Sequence, residues 1–275
     1  MATIVREIQD MTYLTWAKIR NSSGTAGSFL KSYEEENGIK VYYKLSDYDA
    51  YRGIVGHECV NEIIVDRLLS LLGIEHLEYR LIHADILIDG KKHTTWLCGS
   101  EDFKRRGESK IALDVYYSSE RIGADESPLD FCIRCGWEKS IYEMLVIDYL
   151  ILNRDRHGAN IEVLRNASRR TLRLAPLFDH GLSLLCRCQD AEALQKEDVM
   201  ADKPIQSFVG SRSAYENLKL IPADKLPKLN HLKESDKNAI VGGLEEALDG
   251  AWLDKIWEMI WKRWKVYADF CNQRR

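Results

Sequence analysis

From Ile39 to Leu45 apolar and polar side chains alternate, with Ile39, Val41, Tyr43 and Leu45 on one face and Lys40, Tyr42 and Lys44 on the other. A period of two marks a strand with one buried face, and it turns Lys44 away from the most apolar side. Ser28 to Glu34 reads as a partner strand, joined through Asn37-Gly38, a dipeptide that accepts positive φ and so favours a hairpin. The period then changes. Between Val55 and Leu72 the residues Val60, Ile63, Ile64, Leu68, Leu71 and Leu72 recur at helical spacing, and Gly73 follows as a terminator. Glu58 and Glu62 share a face of this helix, one turn apart.

Tyr79 to Ile88 and Lys92 to Cys98 flank Asp89-Gly90 and predict a second hairpin, which completes a small antiparallel sheet. The segment from Cys98 to Asp102 breaks the pattern and is the expected hinge, after which the chain turns helical. Glu138 to Leu152 presents Ile141, Met144, Leu145, Asp148, Tyr149 and Leu152 inward and leads directly into Asn153. Ile161 to Leu164 and Thr171 to Leu177 read as strands around a turn at 166–170. Near the C-terminus Trp252, Ile256, Trp257, Ile260, Trp261, Trp264, Tyr267 and Phe270 form an aromatic helical face whose expected use is core packing. Val241-Gly242-Gly243 and Asp249-Gly250 divide the region before it into several helices.

The chain has 275 residues, 45% hydrophobic and 30% charged, as a globular enzyme would, and its net charge of -4 argues against direct nucleic-acid binding. Met1 to Arg20 has no apolar stretch of signal-peptide length, and no segment approaches the roughly 20 apolar residues that span a bilayer. A cytoplasmic protein without a membrane partner is expected. Seven cysteines, an odd number, fit a reducing compartment. Cys132, Cys135, Cys186 and Cys188 are close pairs of the type that binds zinc, but free thiols are the expectation.

The chemistry lies in residues 153–160, Asn-Arg-Asp-Arg-His-Gly-Ala-Asn, and in Phe178-Asp179-His180-Gly181, where Asp179 stands nineteen positions after Asn160. Phosphoryl transfer from a nucleotide needs one carboxylate near the acceptor hydroxyl, and an amide oxygen with a second carboxylate to hold magnesium. Asp155, Asn160 and Asp179 supply that set. The spacing of five from Asp155 to Asn160 equals that in protein-kinase catalytic loops, and Asp179-His180-Gly181 stands where those enzymes carry Asp-Phe-Gly. His157 is expected to brace the loop. No Ser-His-Asp or Gly-x-Ser-x-Gly pattern competes.

Asp155-Arg156-His157 with Asn160, then Phe178-Asp179, resembles the HipA-like kinases and, more distantly, the phosphoinositide kinases. The resemblance extends to Ser22-Ser23-Gly24-Thr25-Ala26-Gly27-Ser28, Tyr43-Lys44 and Asn61-Glu62, and becomes thin after residue 185. It implies an α+β, two-lobed protein-kinase-like fold: a small antiparallel-sheet N-lobe over residues 1–100 and a mainly helical C-lobe over 101–275. ATP and Mg2+ would bind between the lobes, with the adenine edge against the backbone of the hinge. Asp155 and Asn160 would be catalytic, with Asn160 and Asp179 on the metal. Ser23, Gly24, Thr25, Gly27 and Ser28 would cover the phosphates, which Lys44 would hold in partnership with Glu62.

The implied substrate is a protein serine or threonine. Ser22, Ser23, Thr25 and Ser28 are candidate regulatory hydroxyls, because the corresponding loop of HipA-like enzymes can carry a phosphorylated serine. The N-terminus starts close to this loop, so the long N-terminal subdomain of the toxin members is not expected. A lipid or small-molecule kinase and a silent nucleotide-binding module are the alternatives.

Overall fold

The structure is a computed structural model that describes residues 2–17, 29–36, 38–188 and 190–274. The expected phosphate loop from Ser22 to Ser28, and Asn37 of the first hairpin, lie outside the described residues. The chain opens with β1 (Thr3–Asp10), β2 (Lys31–Glu36) and β3 (Ile39–Leu45). The pairs β4 (Tyr48–Asp49) and β5 (Gly53–Ile54) then form a minimal hairpin before α1 (Glu58–Leu72). β6 (Arg80–Ile88) and β7 (Lys91–Glu101) complete a five-stranded sheet in the order β1-β6-β7-β3-β2.

Both expected hairpins are present, with β2 antiparallel to β3 and β6 antiparallel to β7. The sheet is not wholly antiparallel, because β1 runs parallel to β6 along one edge. Nothing in the β1 pattern announced it: its side chains are mostly exposed or half-buried, so no alternation is written into the residues.

Two further expectations are corrected. The helix begins at Glu58 rather than Val55, with the chain still extended at β5 and His57 at the N-cap. The second strand of the later hairpin does not break at Cys98 but continues through Glu101, paired with Val41. Gly99, read as a breaker, is a close-approach glycine: a Cβ there would lie 3.1 Å from the Tyr43 ring and 3.3 Å from Ile82.

Alternation along these strands divides the apolar side chains between two clusters. Val41, Tyr43, Leu45, Ile82, Ala84, Ile86, Ile88 and Leu97 pack with Met11 and Leu14 on one face of the sheet. Leu81 and Cys98 point the other way, into a larger core with α1. Lys44 is directly opposite Cys98 in the β3–β7 register and opposite Lys31 in the β2–β3 register. The same pleat therefore sends Lys31, Lys44 and Cys98 to the α1 side of the sheet.

After β7 the chain does not turn helical at once. β8 (Glu108–Ala112) comes first, and it pairs with a later strand. Then follow α2 (Leu113–Glu120), α3 (Pro128–Arg134), α4 (Glu138–Leu150), the short β9 (Asp155–Arg156), β10 (Glu162–Asn166) and β11 (Thr171–Leu174). β10 is central in a three-stranded antiparallel sheet between β11 and β8. The remainder is α5 (Ala191–Lys196), β12 (Gln206–Ser207), α6 (Ala214–Leu218), α7 (Lys237–Val241) and α8 (Gly250–Gln273).

The aromatic face of α8 is used as expected. Ile256, Trp257, Ile260, Trp264 and Tyr267 are buried in the same core as α1 and α4. Arg263, on that face, is also buried and donates to the carbonyl oxygens of Tyr149, Val199 and Ala201. No described helix is long and apolar enough to cross a membrane. The seven cysteines are free thiols, and the described residues contain no group of three or more His, Cys, Asp or Glu side chains arranged to hold a metal ion.

Candidate active site

α4 is apolar through most of its length, with one aspartate at an inward position, Asp148, and it delivers the chain into Asn153. Asp148 receives Arg156, whose Nε lies 3.0 Å from Oδ2 and whose Nη2 lies 3.0 Å from Oδ1. The remaining guanidinium nitrogen, Nη1, donates to the carbonyl oxygens of Asn160, at 3.1 Å, and Phe178, at 3.0 Å. One side chain thus ties the loop carrying Asp155 and Asn160 to the backbone just before Asp179. Asn153 adds a second tie, with Nδ2 donating to Asp148 Oδ1 at 2.9 Å and Oδ1 accepting from the Asp155 N–H at 3.1 Å. β9 also pairs with β12, which supports Asp155 and Arg156 from the far side.

Within the loop, Asn160 Nδ2 donates to the backbone oxygen of Asp155 at 2.7 Å. The amide oxygen of Asn160 is the atom left to face a cation. His157 braces the turn as expected, with Nδ1 accepting from the Ala159 N–H at 3.2 Å and Nε2 3.6 Å from Asp155 Oδ2. Asp155 has no ion pair with Arg154 or Arg156: Arg156 is taken by Asp148, and Arg154 Nε donates to the Pro204 oxygen. Burial pushes the Asp155 carboxyl up from its ordinary value, His157 opposes this and the nearby Asp179 adds to it.

The opposite wall is built by the sheet and α1. Lys44 Nζ lies 2.5 Å from Asp179 Oδ1 and 3.1 Å from Glu62 Oε1, so the expected Lys44–Glu62 pair forms and Asp179 joins it. Burial disfavours the lysine cation, but Asp179 and Glu62 outweigh it and hold Lys44 charged. For Asp179 burial again opposes charge, yet Lys44, Lys31 and Arg156 keep its carboxyl below the usual carboxylate range. Asp179 adopts φ 57, a left-handed conformation unusual outside glycine.

Glu62 does more than hold Lys44. Its carboxylate accepts from the N–H groups of His180, at 2.8 Å, and Gly181, at 3.0 Å. The neighbouring Asn61 donates to the oxygens of Gly181 and Ser183. One turn of α1 therefore clamps the segment after Asp179. A Cβ at Gly181 would come 3.0 Å from Glu58 Cβ and 3.3 Å from Glu62 Oε1, so only glycine lets the two backbones approach this closely. Glu58, one turn before Glu62 on the same face, is buried and accepts from the Asp47 N–H at 3.0 Å.

Between these walls lies a cavity of about 180 Å³. Its wall runs along β3 and β7 from Lys44, opposite Cys98, past Tyr42, opposite Ser100, to Asp102 and Phe103, and Lys31, Tyr79, Lys110, Glu162, Phe178 and Asp179 complete the lining. Asn160 and Asp179 carry the hard oxygen donors that magnesium takes; the Asp155 carboxyl is raised first by burial and then by the charge of Asp179, and the second of these is a repulsion that a divalent cation would relieve.

The structure brings together Lys44, Glu62, Asp155, Asn160 and Asp179. Ser23, Gly24, Thr25, Gly27 and Ser28 lie outside the described residues. Sequence reasoning missed Arg156, Asp148 and Lys31. A lone aspartate on the buried face of an apolar helix was the available sign for the first pair, and register with Lys44 identifies the third.

No protein-family model matches the sequence, and no curated protein matches it. Solved structures do match the fold. The proinflammatory kinase CtkA of Helicobacter pylori superposes with a TM-score of 0.62 at 17% identity, over 93% of this chain and 94% of that one. HipA, from the Shewanella oneidensis MR-1 toxin–antitoxin complex of HipA, HipB and operator DNA, superposes with a TM-score of 0.50 at 16% identity, over 94% of this chain and 68% of that one. The likeness is one of fold. The mixed α+β architecture is similar to that of these two proteins, as the motifs implied.

Proposed function

We propose that this chain is an ATP- and magnesium-dependent phosphotransferase, a HipA-like kinase that acts on serine or threonine of a protein. The reading divides it into an N-terminal lobe over residues 1–100 and a C-terminal lobe over 101–275, with the nucleotide in the cavity between them and the cytoplasm as its compartment. One observation carries it. Lys44, Glu62 and Asp179 come from a strand, a helix and a distant loop, yet form a single charge cluster, with Lys44 and Asp179 lining a cavity and Asp155 near enough to feel the charge of both. A triphosphate asks for that arrangement: a fixed cation on its oxygens and carboxylates set to share a metal.

Magnesium, when bound, would neutralise phosphate charge, with Asn160 and Asp179 as its protein ligands. Lys44 would hold phosphate oxygens, kept charged and aimed by Glu62. Lys31, beside it in the sheet, adds a second positive charge at the same end. Asp155 would orient the acceptor hydroxyl and take its proton as the γ-phosphoryl group moves from the nucleotide to that oxygen. Burial that raises its pKa makes it a better proton acceptor. Phe178 and Phe103, whose rings lie 5.4 Å apart, supply apolar surface for a base at the other end.

Incubation of the purified protein with γ-labelled ATP and separate pools of proteins, lipids and small metabolites tests the substrate class. Label on protein serine or threonine is expected. Label confined to lipid or metabolite would overturn the protein-kinase reading, and no transfer with intact nucleotide binding would make the chain a binding module.

A further inference from the structure

Cys59 lies in the first turn of α1 and Cys98 in β7, directly opposite Lys44, and their thiols converge on one atom. Cys59 Sγ lies 3.1 Å from the Lys44 carbonyl oxygen and Cys98 Sγ 3.8 Å from it, and the two thiols also hydrogen-bond each other. Each residue is 1% exposed. No step of the proposed phosphoryl transfer uses them. Two sulfurs in contact, carried by a helix and a strand that no covalent bond joins directly, are placed to be cross-linked.

Burial does not close the pair off. Register puts Tyr42, Lys44, Cys98 and Ser100 on one face of the sheet, and all four line the cavity, so the Cys98 side chain stands at its wall. Charge distinguishes this pair from other cysteines. Burial disfavours a thiolate at Cys59, but hydrogen bonds from Cys98 and Ser46 and the Lys44 cation outweigh it and bring that thiol below its ordinary value. Burial pushes the Cys132 and Cys186 thiols up to about 12, so they stay protonated and unreactive.

We propose that Cys59 and Cys98 form a peroxide-sensing pair, which closes to an intramolecular disulfide that ties α1 to β7 beside Lys44 and weakens nucleotide binding. In the first step the thiolate sulfur attacks one oxygen of hydrogen peroxide and the O–O bond breaks. That oxygen stays on sulfur as a sulfenic acid, and the other leaves as water with the proton the thiol gave up. The second thiol then attacks the sulfenic sulfur, the S–O bond breaks, and the hydroxyl leaves as water with that thiol's proton. The sulfurs lose two electrons and the peroxide gains them. Sulfurs now at hydrogen-bond distance must close to about 2.05 Å, and the Lys44 oxygen loses both S–H donors. Glu62, on the same turn of α1 as Cys59, moves with it, which disturbs the Lys44–Glu62 pair. The bond itself stands apart from the kinase reading, on which its effect on nucleotide rests.

Peroxide treatment of the full chain, followed by peptide mapping without reductant and by calorimetric titration with magnesium and ATP, tests this. A linked Cys59–Cys98 peptide is expected, with ATP bound at least about tenfold more weakly than by the reduced protein and the loss reversed by dithiothreitol. Cys59→Ser, which keeps a donor for the Lys44 oxygen, is expected to bind ATP within about threefold of the wild type and to hold that affinity after peroxide. If this variant fails to fold, Cys59→Ala takes its place, and the peptide map of the wild type is read without any variant. Cysteines left reduced, or linked in another pairing, overturn the proposal and leave the kinase reading intact. So does the expected link with unchanged ATP binding, or an equal loss of binding in Cys59→Ser. Absence of nucleotide uptake by the reduced wild type defeats the kinase reading and the proposed control together.

Discussion

Arg156 and Asp148 form a two-pronged ion pair in the core, with Nε 3.0 Å from Oδ2, Nη2 3.0 Å from Oδ1 and the arginine only 1% exposed. The third nitrogen holds the backbone on either side of the proposed metal site. Breaking such a pair strands a buried charge. Asp148→Asn and Arg156→Met are each expected to destabilise the fold by about 3–5 kcal/mol in urea unfolding. Arg156→Lys should not rescue, since one ammonium cannot reproduce the fork. A loss under about 1 kcal/mol in either variant would show that the pair does not hold the loops together.

Lys44 separates two carboxylates that would otherwise face each other. Lys44→Met is expected to weaken ATP binding at least about tenfold by calorimetry, and Asp179→Asn to abolish the dependence of that binding on magnesium. A magnesium-dependent isotherm unchanged in Asp179→Asn would remove this residue from the metal site.

Stability should fall on acidification, with a sign fixed by His57. Burial lowers its pKa from 6.5 to about 4, so the folded protein keeps this ring neutral while the unfolded chain protonates it. Between these values the unfolded state binds more protons, and stability is lost as pH falls from 6.5 towards 4, by about 3 kcal/mol from this group. Asp179, whose folded pKa is depressed, contributes stability that is present above the ordinary carboxylate range and is lost below it. Urea unfolding across pH is predicted to show a shallower slope between pH 6.5 and 4 in His57→Gln than in the wild type. Identical slopes would contradict the assignment.

Gly181→Ala places a methyl group against Glu58 and Glu62. Overpacking here is expected to cost about 1–3 kcal/mol in thermal unfolding and to weaken nucleotide binding, because the clamp on the segment after Asp179 must open. A variant with wild-type melting and binding would show that the close approach is dispensable.

Much of the site was written locally. The alternation around Lys44, the helical spacing that carries Glu62 and the Asp155-to-Asn160 interval each depend on residues near one another in the chain, so each was legible. The ion pair of Asp179 with Lys44 is a tertiary fact; the motifs implied that both serve the nucleotide phosphates and their metal, not that the two touch. What escaped was of two kinds. Asp148 and Arg156 announce their pairing only through the cost of burying a charge, which a reading by periodicity passes over. β1 and β8 are strands with little alternation in burial, held by pairing with β6 and β10 rather than by an apolar face of their own. Gly99 misled because a glycine that ends a strand and one that admits a neighbouring ring look the same in sequence.

The most direct test is single-turnover transfer of the labelled γ-phosphoryl group, with the wild type compared against Asp155→Asn at saturating ATP and magnesium. The expected result is transfer to a hydroxyl by the wild type and a loss of at least about a hundredfold in the variant, with nucleotide affinity held within about threefold. Transfer at the wild-type rate by Asp155→Asn, or no nucleotide uptake by the wild type, would contradict the account.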